Sequence, residues 1–156
     1  EIDRISNSAN ELLTKMNTII WTMKSSNDSV ESLTAYIRAY AIEYFDATPI
    51  SCTVNFSMIT DMEMGGEKRR NIFLSIKEAL NNILKHSQAT KVQIDIITHN
   101  NKYIVRVHDN GIGIDEGNLR RFGNGLSNIR KRMKSLQGDF TIENDGGTKL
   151  TFTVPI

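Results

Sequence analysis

Hydrophobic residues recur along the chain with two different periods, and these periods separate predicted helices from predicted strands. The first segment has apolar residues spaced alternately three and four apart, which is the heptad seam of a coiled coil or helical bundle. A helix with such a stripe needs a partner, either another helix or the rest of its own domain. The seam residues are Ile2, Ile5, Ala9, Leu12, Met16, Ile19 and Met23.

Further elements follow a polar break at residues 24–29, which contains several N-cap residues. A second helix is predicted over about 30–47, and apolar–polar alternation over 50–58 predicts a half-buried strand. A loop at 61–66 precedes a third helix, predicted over about 67–86.

The second half of the chain is predicted to hold four strands and one helix. The pattern indicates strands at 92–96 and 103–107 around a turn at 99–101. A helix is predicted at 126–136, and Gly138 is placed to end it. Two further strands, at 140–142 and 150–154, are predicted around a turn at 144–147. These elements predict an α+β fold, with a mixed sheet of about five strands and the helices on one face.

Composition narrows the possible functions. The 156 residues allow one domain with a short appendage, and a hydrophobic fraction of 39% is enough to form a core. A formal net charge of +1 gives no general electrostatic basis for binding nucleic acid or a membrane surface. Cys52, the single cysteine, excludes an internal disulfide and fits a reducing compartment. The chain shows no membrane-spanning run and no signal peptide, and because it begins inside a periodic segment without Met we expect a longer parent protein.

The third predicted helix carries a polar group of side chains. On a helical wheel Glu78, Asn82, Lys85 and His86 lie opposite an apolar face. The Asn82 amide oxygen is a hard, neutral ligand that suits Mg²⁺, and Glu78 can orient or deprotonate a water beside it. Lys85 supplies positive charge for a phosphate. A plain solvated face is the alternative interpretation. The apolar face consists of Ile72, Phe73, Ile76, Leu80, Ile83 and Leu84.

Glycine-containing loops supply further candidate chemistry. Asp109 begins the segment Asp-Asn-Gly-Ile-Gly, where its carboxylate can accept a hydrogen bond from an exocyclic amine; a calcium loop or an Asx turn is the alternative. The segment 123–126, Gly-Asn-Gly-Leu, opens the fourth helix, and backbone N–H groups at such a position bind phosphate readily. Thr148 is either a contact to a base or an ordinary strand residue. The basic residues of 130–134 are interpreted as solvated.

In this order the motifs resemble the ATP-binding domain of sensor histidine kinases, in the GHKL superfamily that includes DNA gyrase and MutL. Residues 78–87 resemble the N box, 109–113 the G1 box, and 123–132 the G2 box of the subfamily paired with LuxR-type response regulators. Residues 146–152 resemble the last conserved element. The resemblance covers about residues 30–156 and implies a Bergerat fold, which is a two-layer α/β sandwich.

The resemblance implies roles for individual residues. Asn82 is implied to ligate Mg²⁺ and Asp109 to bind the adenine amino group of ATP. Glu78 matches the N-box acid, Lys85 and His86 are implied to contact phosphates, and Glu78 and Lys85 are the candidate catalytic residues. Residues 114–123 imply a short ATP lid. The pocket and lid are implied to be shaped by Gly111, Gly113, Gly123 and Gly125. Thr148 is implied to lie near the base, and Leu126 is implied to bind the nucleotide.

The resemblance also implies a place in a two-component system. Residues 1–24 look like the second helix of a dimerisation hairpin, and 25–156 like the catalytic domain. Because 1–24 contains no His, this fragment is predicted to bind Mg²⁺-ATP without phosphorylating itself. The implied partners are a LuxR-type response regulator and, in the intact protein, a second copy of the chain. The fragment is expected in the cytoplasm without direct membrane contact, within a membrane-anchored parent.

Two other functions share this fold. One is an anti-sigma-factor-type serine kinase, against which the N-terminal heptad helix argues. The other is a non-catalytic module in which nucleotide orders a surface for a partner, against which the intact Asp109, Asn82 and glycine set argues.

Overall fold

The helices and strands follow the predicted order in the computed structural model, which describes residues 1–57, 59–115 and 123–156. The helices of this part are α1 (Ile2–Met23), α2 (Val30–Asp46), α3 (Gly66–Asn82) and α4 (Gly125–Ser135). The strands are β1 (Ser51–Ser57), β2 (Lys91–His99), β3 (Lys102–Asp109), β4 (Asp139–Asn144) and β5 (Thr148–Pro155). A 3₁₀-helical turn at Ser25–Asn27 lies between α1 and α2.

The strands form one mixed sheet in the order β1-β2-β3-β5-β4. Strand β1 runs parallel to β2, and the other neighbouring pairs are antiparallel. The register places Ile94 opposite Val107 and Val107 opposite Leu150, so the central strands share one buried face. The core joins this face to buried side chains of α2, α3 and α4. The predicted α+β fold with a mixed five-stranded sheet is confirmed.

Local sequence accounts for several element boundaries. The Ser29 hydroxyl caps α2 by accepting a 3.0 Å hydrogen bond from the Ser32 N–H, as the polar break predicted. Asn100 and Asn101 both have positive φ, 50° and 58°, which matches the twist that a two-residue hairpin needs between β2 and β3.

The third helix differs from its prediction at the C-terminal end. Helix α3 stops at Asn82, and Ile83–Ser87 continue as a π-helical turn. A π turn has more residues than an α turn, so a wheel drawn at α-helical spacing misplaces side chains beyond Asn82. The assignment of Leu84 to the apolar face is accordingly wrong, because Leu84 is 41% exposed.

Helix α4 ends in a Schellman motif. The N–H of Gly138 bonds the Met133 carbonyl at 2.8 Å, and the N–H of Gln137 bonds the Lys134 carbonyl at 3.1 Å. The residue in the left-handed conformation is Gln137, with φ 56°, and not the glycine that the sequence suggested. The prediction therefore found the end of the helix but assigned its cap one residue too late.

The heptad seam of α1 does not pack on its own domain. Its members are exposed, from Ile19 at 48% to Ile2 at 83%. A different face of the helix, including the buried Thr18 and the partly buried Trp21, lies against the rest of the chain. Within the described residues, none of the helices has the length and apolar character needed to cross a membrane.

Candidate functional site

Asp109 ends β3 with its carboxylate held in a fixed position. The side chain is 3% exposed, and Oδ1 accepts hydrogen bonds from the N–H of Gly111 at 2.8 Å and of Thr148 at 3.4 Å. The pairing of β3 with β5 brings Thr148 here, since His108 lies opposite Lys149 one step earlier in the register. Neither of these two backbone donors uses Oδ2.

Burial dominates the electrostatics of this carboxyl. Removal from water raises the pKa of Asp109, and the Gly111 and Thr148 N–H groups, with His108, oppose that rise. A buried carboxylate is stabilised by any donor that reaches it, such as an exocyclic amine. The site therefore favours a ligand with a hydrogen-bond donor at this depth.

The loop after Asp109 is fixed by side chains that the sequence did not single out. The Asn144 amide clamps Ile114, accepting from its N–H at 2.9 Å and donating to its carbonyl at 2.7 Å. Beneath the loop Gly147 has a φ of 135°, and a Cβ there would overlap the Asp109 carbonyl. Gly111 and Gly113, both predicted site residues, lie within this loop, Gly113 with a φ of 79°.

Asn82 lies across a small cavity from Asp109. Its side chain is 6% exposed, and the buried Nδ2 has no hydrogen-bond partner among the described residues. Buried polar atoms are nearly always paired, so an unpaired amide beside a cavity fits a site for a polar ligand. A half-turn of the amide exchanges nitrogen and oxygen and directs a metal-ligating oxygen to the same place.

The cavity between these side chains has a volume of about 20 Å³. That volume holds about one water and is far below the size of an adenine ring. The lining side chains, among them Ile114 and Leu126, have to separate before a base can enter. The predicted site residues that line this cavity are Asn82, Asp109, Gly113, Leu126 and Thr148.

Glu78 and Lys85 lie elsewhere, on a larger groove of about 1160 Å³ between α1, α2, α3 and α4. Glu78 sits one helical turn before Asn82, and Gly125 packs so closely against it that a Cβ would overlap the Glu78 carboxylate. Lys85 is exposed and His86 is partly buried. Glu78 and Lys85 thus line the groove while Asn82 and Asp109 line the cavity, with Glu78 and Asn82 on neighbouring turns.

The predicted lid that precedes α4 is only partly described, whereas the glycine segment after it is described in full. Gly123 has a φ of 54°, and Gly125 is the first residue of the helix. Most of the predicted lid, residues 116–122, lies outside the described residues.

Arg132 is a candidate that the sequence analysis treated as solvated. It is half-buried on α4, lines the same groove as Glu78, and donates from Nη1 to the Asn71 Oδ1 at 3.1 Å. Burial and the nearby Arg70 lower its pKa, and Glu78 opposes that change. The available signal was its spacing, because a residue seven after Gly125 lies on the same side of the helix.

Comparisons with known proteins show the family of this chain. Residues 67–156 match the family described as histidine kinase-, DNA gyrase B-, and HSP90-like ATPase. The sensor histidine kinase DesK of Bacillus subtilis is 35% identical over 82 residues, which are 53% of this chain and 22% of DesK. The sensor histidine kinase MctS of Rhizobium johnstonii is 31% identical over 127 residues, 79% of this chain and 27% of MctS.

Solved structures show the same fold. The histidine kinase domain from the Erythrobacter litoralis EL346 blue-light activated histidine kinase has a TM-score of 0.64 at 25% identity, covering 79% of this chain and 60% of that one. The Acinetobacter baumannii histidine kinase AdeS has a TM-score of 0.68 at 16% identity and covers 99% of this chain and 83% of its own.

The chain belongs to the histidine kinase-, DNA gyrase B- and HSP90-like ATPase family. The two relatives named above are sensor histidine kinases. The chain spans about a quarter of the length of DesK and of MctS.

Proposed function

We propose that this chain positions Mg²⁺-ATP for transfer of the γ-phosphate to a histidine on another segment, within a two-component sensor kinase. The observation that carries the proposal is the pairing of Asn82 and Asp109 across one cavity. Asn82 has an unpaired buried amide, and Asp109 has a buried carboxylate with one oxygen held by backbone donors. The Asn82 amide suits a metal-bound phosphate group, and the Asp109 carboxylate suits a base with an amino group.

The cavity residues bind and orient the nucleotide in this proposal. Asp109 Oδ2 accepts a hydrogen bond from the adenine amino group, and Thr148 lies beside the base. Gly111 and Gly113 let the loop backbone approach the nucleotide closely, and Leu126 supplies an apolar wall at the start of α4. The fixed position of Asp109 is an advantage, because a preorganised group needs no further ordering when the ligand binds.

A second group of residues, from the cavity and from its surroundings, acts on the phosphate end. Asn82 would hold Mg²⁺, which when bound neutralises phosphate charge and orients the transferred group. Lys85 and His86 contact phosphate oxygens, and Gly123 and Gly125 present backbone N–H groups at the start of α4. Glu78, one turn before Asn82, orients the incoming nucleophile or accepts its proton.

The remaining assignments extend the proposal to the parent protein. Residues 1–24 form the second helix of a dimerisation hairpin, and 25–156 form the catalytic domain. The exposed heptad seam of α1 pairs with helices of the same kind in a homodimer. The phosphorylated histidine passes its phosphate to a LuxR-type response regulator, and this domain works in the cytoplasm within a membrane-anchored parent.

Titration with a fluorescent ATP analogue, with and without Mg²⁺, tests the nucleotide site. Asp109→Ala is expected to abolish tight nucleotide binding both with and without Mg²⁺. Asn82→Ala is expected to remove mainly the increase in affinity that Mg²⁺ provides. Asp139→Ala, an exposed aspartate on β4, is the matched control and should bind as the parent chain does. Tight binding that survives Asp109→Ala would refute the site.

Transfer of radiolabelled phosphate then tests the reaction. A separately supplied helix that carries the acceptor histidine should become labelled in the presence of this chain and Mg²⁺-ATP. Label on a serine of a supplied antagonist protein would indicate a serine kinase instead. Nucleotide binding without transfer to either acceptor would contradict a catalytic role.

A further inference from the structure

Arg69, in the first turn of α3, is fully buried and lies away from the nucleotide cavity. Its Nε donates to the Met64 carbonyl at 3.0 Å, and its Nη2 donates to the Thr22 carbonyl at 3.0 Å. The same Nη2 forms an ion pair with the Asp28 carboxylate at 2.5 Å. A buried charge is stable only when partners surround it, and here those partners come from α1, from the segment after it and from the segment that leads into α3.

The contacts of Arg69 cap the C-terminus of α1. The last carbonyls of a helix have no partner within the helix and carry partial negative charge, which a cation stabilises. Helix α1 has no basic residue in its own last turn. Arg69 supplies the charge from α3: Nη1 lies 3.4 Å from the Trp21 carbonyl, and the guanidinium carbon lies 4.5 Å from the centre of the Trp21 ring.

Backbone hydrogen bonds also join the segment after α1 to the segment that precedes α3. The N–H of Val30 bonds the Met62 carbonyl at 2.8 Å, and the N–H of Met64 bonds the Asp28 carbonyl at 3.2 Å. The segment between α1 and α2 is therefore paired with the segment that leads into α3. A joint with paired backbone and a buried ion pair resists bending more than an open linker does.

Aromatic packing ties the end of α1 to the domain core. The Trp21 ring stacks on Tyr36 of α2 with centroids 4.1 Å apart, and Tyr36 meets the buried Phe73 of α3 edge-on at 4.8 Å. The earlier turns of α1 are exposed by contrast. The contacts that orient α1 are thus concentrated at its C-terminal end.

We propose that Arg69 is a positioning residue that fixes the angle between α1 and the nucleotide-binding unit. Helix α3 holds the end of α1 at its first turn through Arg69 and ends at Asn82, beside the cavity. Helix α3 therefore connects the end of α1 to the residue that lies beside the cavity. The consequence for phosphotransfer rests on the proposed function, because the angle sets where a histidine-bearing helix stands relative to the nucleotide.

Pulsed electron resonance distances measure this angle in the chain itself. Spin labels at Ser8→Cys on α1 and Glu143→Cys on β4, in a Cys52→Ser background, report the distance between helix and sheet. Arg69→Met removes the donors while keeping side-chain length, and the distance distribution is expected to broaden. Arg38→Met, an exposed arginine on α2, is the matched control and should leave the distribution unchanged.

Hydrogen exchange gives a second measure. Loss of the charge-assisted bonds to α1 should speed amide exchange in its last turn by roughly tenfold to hundredfold in Arg69→Met. Arg69→Lys keeps the charge but lacks the planar set of guanidinium donors. The rate of amide exchange in the last turn of α1 should therefore lie between the rates of the unsubstituted chain and of Arg69→Met. Affinity for a fluorescent ATP analogue should change by less than about twofold, because Arg69 lies outside the cavity.

A folded Arg69→Met protein with the parent's distance distribution would overturn the proposal. If Arg69→Met does not fold, Asp28→Ala removes the charge partner from a side chain that is 41% exposed, and the same broadening is required. If the unsubstituted chain binds no nucleotide, the proposed function is refuted. The distances between the spin labels on α1 and β4 would still decide the role of Arg69.

Discussion

Replacing Asp109 by Asn is expected to separate nucleotide binding from stability. An Asn side chain keeps an acceptor oxygen at the Oδ1 position, so the bonds from Gly111 and Thr148 are retained. The change replaces Oδ2 by an NH₂ group. Both this NH₂ group and the adenine amino group are hydrogen-bond donors, so they cannot bond to each other. The variant therefore loses one hydrogen bond from the ligand to a charged group while the loop keeps its shape.

The size of the affinity loss follows from that single bond. A hydrogen bond to a charged group contributes about 1.5–3 kcal/mol, which corresponds to a dissociation constant roughly tenfold to hundredfold higher. Opposed donors move the expected loss toward the upper end of this range. Titration of a fluorescent ATP analogue against Asp109→Asn and against the exposed control Asp139→Asn measures it.

The stability of the ligand-free chain should change in the opposite direction. Burial raises the pKa of Asp109 in the folded state, so the folded protein binds this proton more tightly than the unfolded chain does. The contribution of Asp109 to the free energy of unfolding is then highest below its unfolded pKa and falls as pH rises through the folded pKa. At neutral pH Asp109→Asn removes the buried charge and should raise the midpoint of urea unfolding. Unchanged nucleotide affinity together with lower stability would refute this reasoning.

Three further substitutions test the site. Asn82→Leu replaces an unpaired buried amide by an apolar group of similar size, so we expect stability to rise by about 1–3 kcal/mol in urea unfolding while Mg²⁺-dependent nucleotide binding is lost. Gly147→Ala places a Cβ against the Asp109 carbonyl and should lower the free energy of unfolding by about 1–3 kcal/mol; a smaller change would contradict the tight approach. Asn144→Ala removes both bonds to Ile114 and should cost about 1–3 kcal/mol, with faster amide exchange at Ile114 and weaker nucleotide binding; unaltered exchange would count against the clamp.

Local chemistry made much of the fold predictable. Period-two patterns identified the strands, and the heptad spacing identified α1 as a helix although its apolar seam is exposed. The hairpin at Asn100 and Asn101 followed from the tolerance of asparagine for positive φ. The loop at Asp109 was singled out because its glycines admit close approach of the backbone to a ligand and because it stands in order with the other motifs, while an Asx turn was the alternative. The structure places Asp109 at 3% exposure, in contact with the backbone of β5.

The features that sequence did not predict depend on contacts between distant segments. The exposure of Leu84 follows from the π turn after α3, which no pattern at α-helical spacing reveals, and the burial of Asn82 depends on the distant residues that line the cavity beside it. Arg132 was assigned to solvent because charged runs usually are, yet packing of α4 on α3 half-buries it. Arg69 carried no signal, since a buried arginine is recognisable only when its partners from α1 are in place.

A crystal structure grown with a non-hydrolysable ATP analogue and Mg²⁺ tests the central claim most directly. We predict that the cavity opens, that the adenine amino group lies within hydrogen-bond distance of Asp109 Oδ2, and that Asn82 Oδ1 ligates the metal. A nucleotide bound elsewhere, or a cavity that remains closed by Ile114 and Leu126 at saturating nucleotide, would contradict the account.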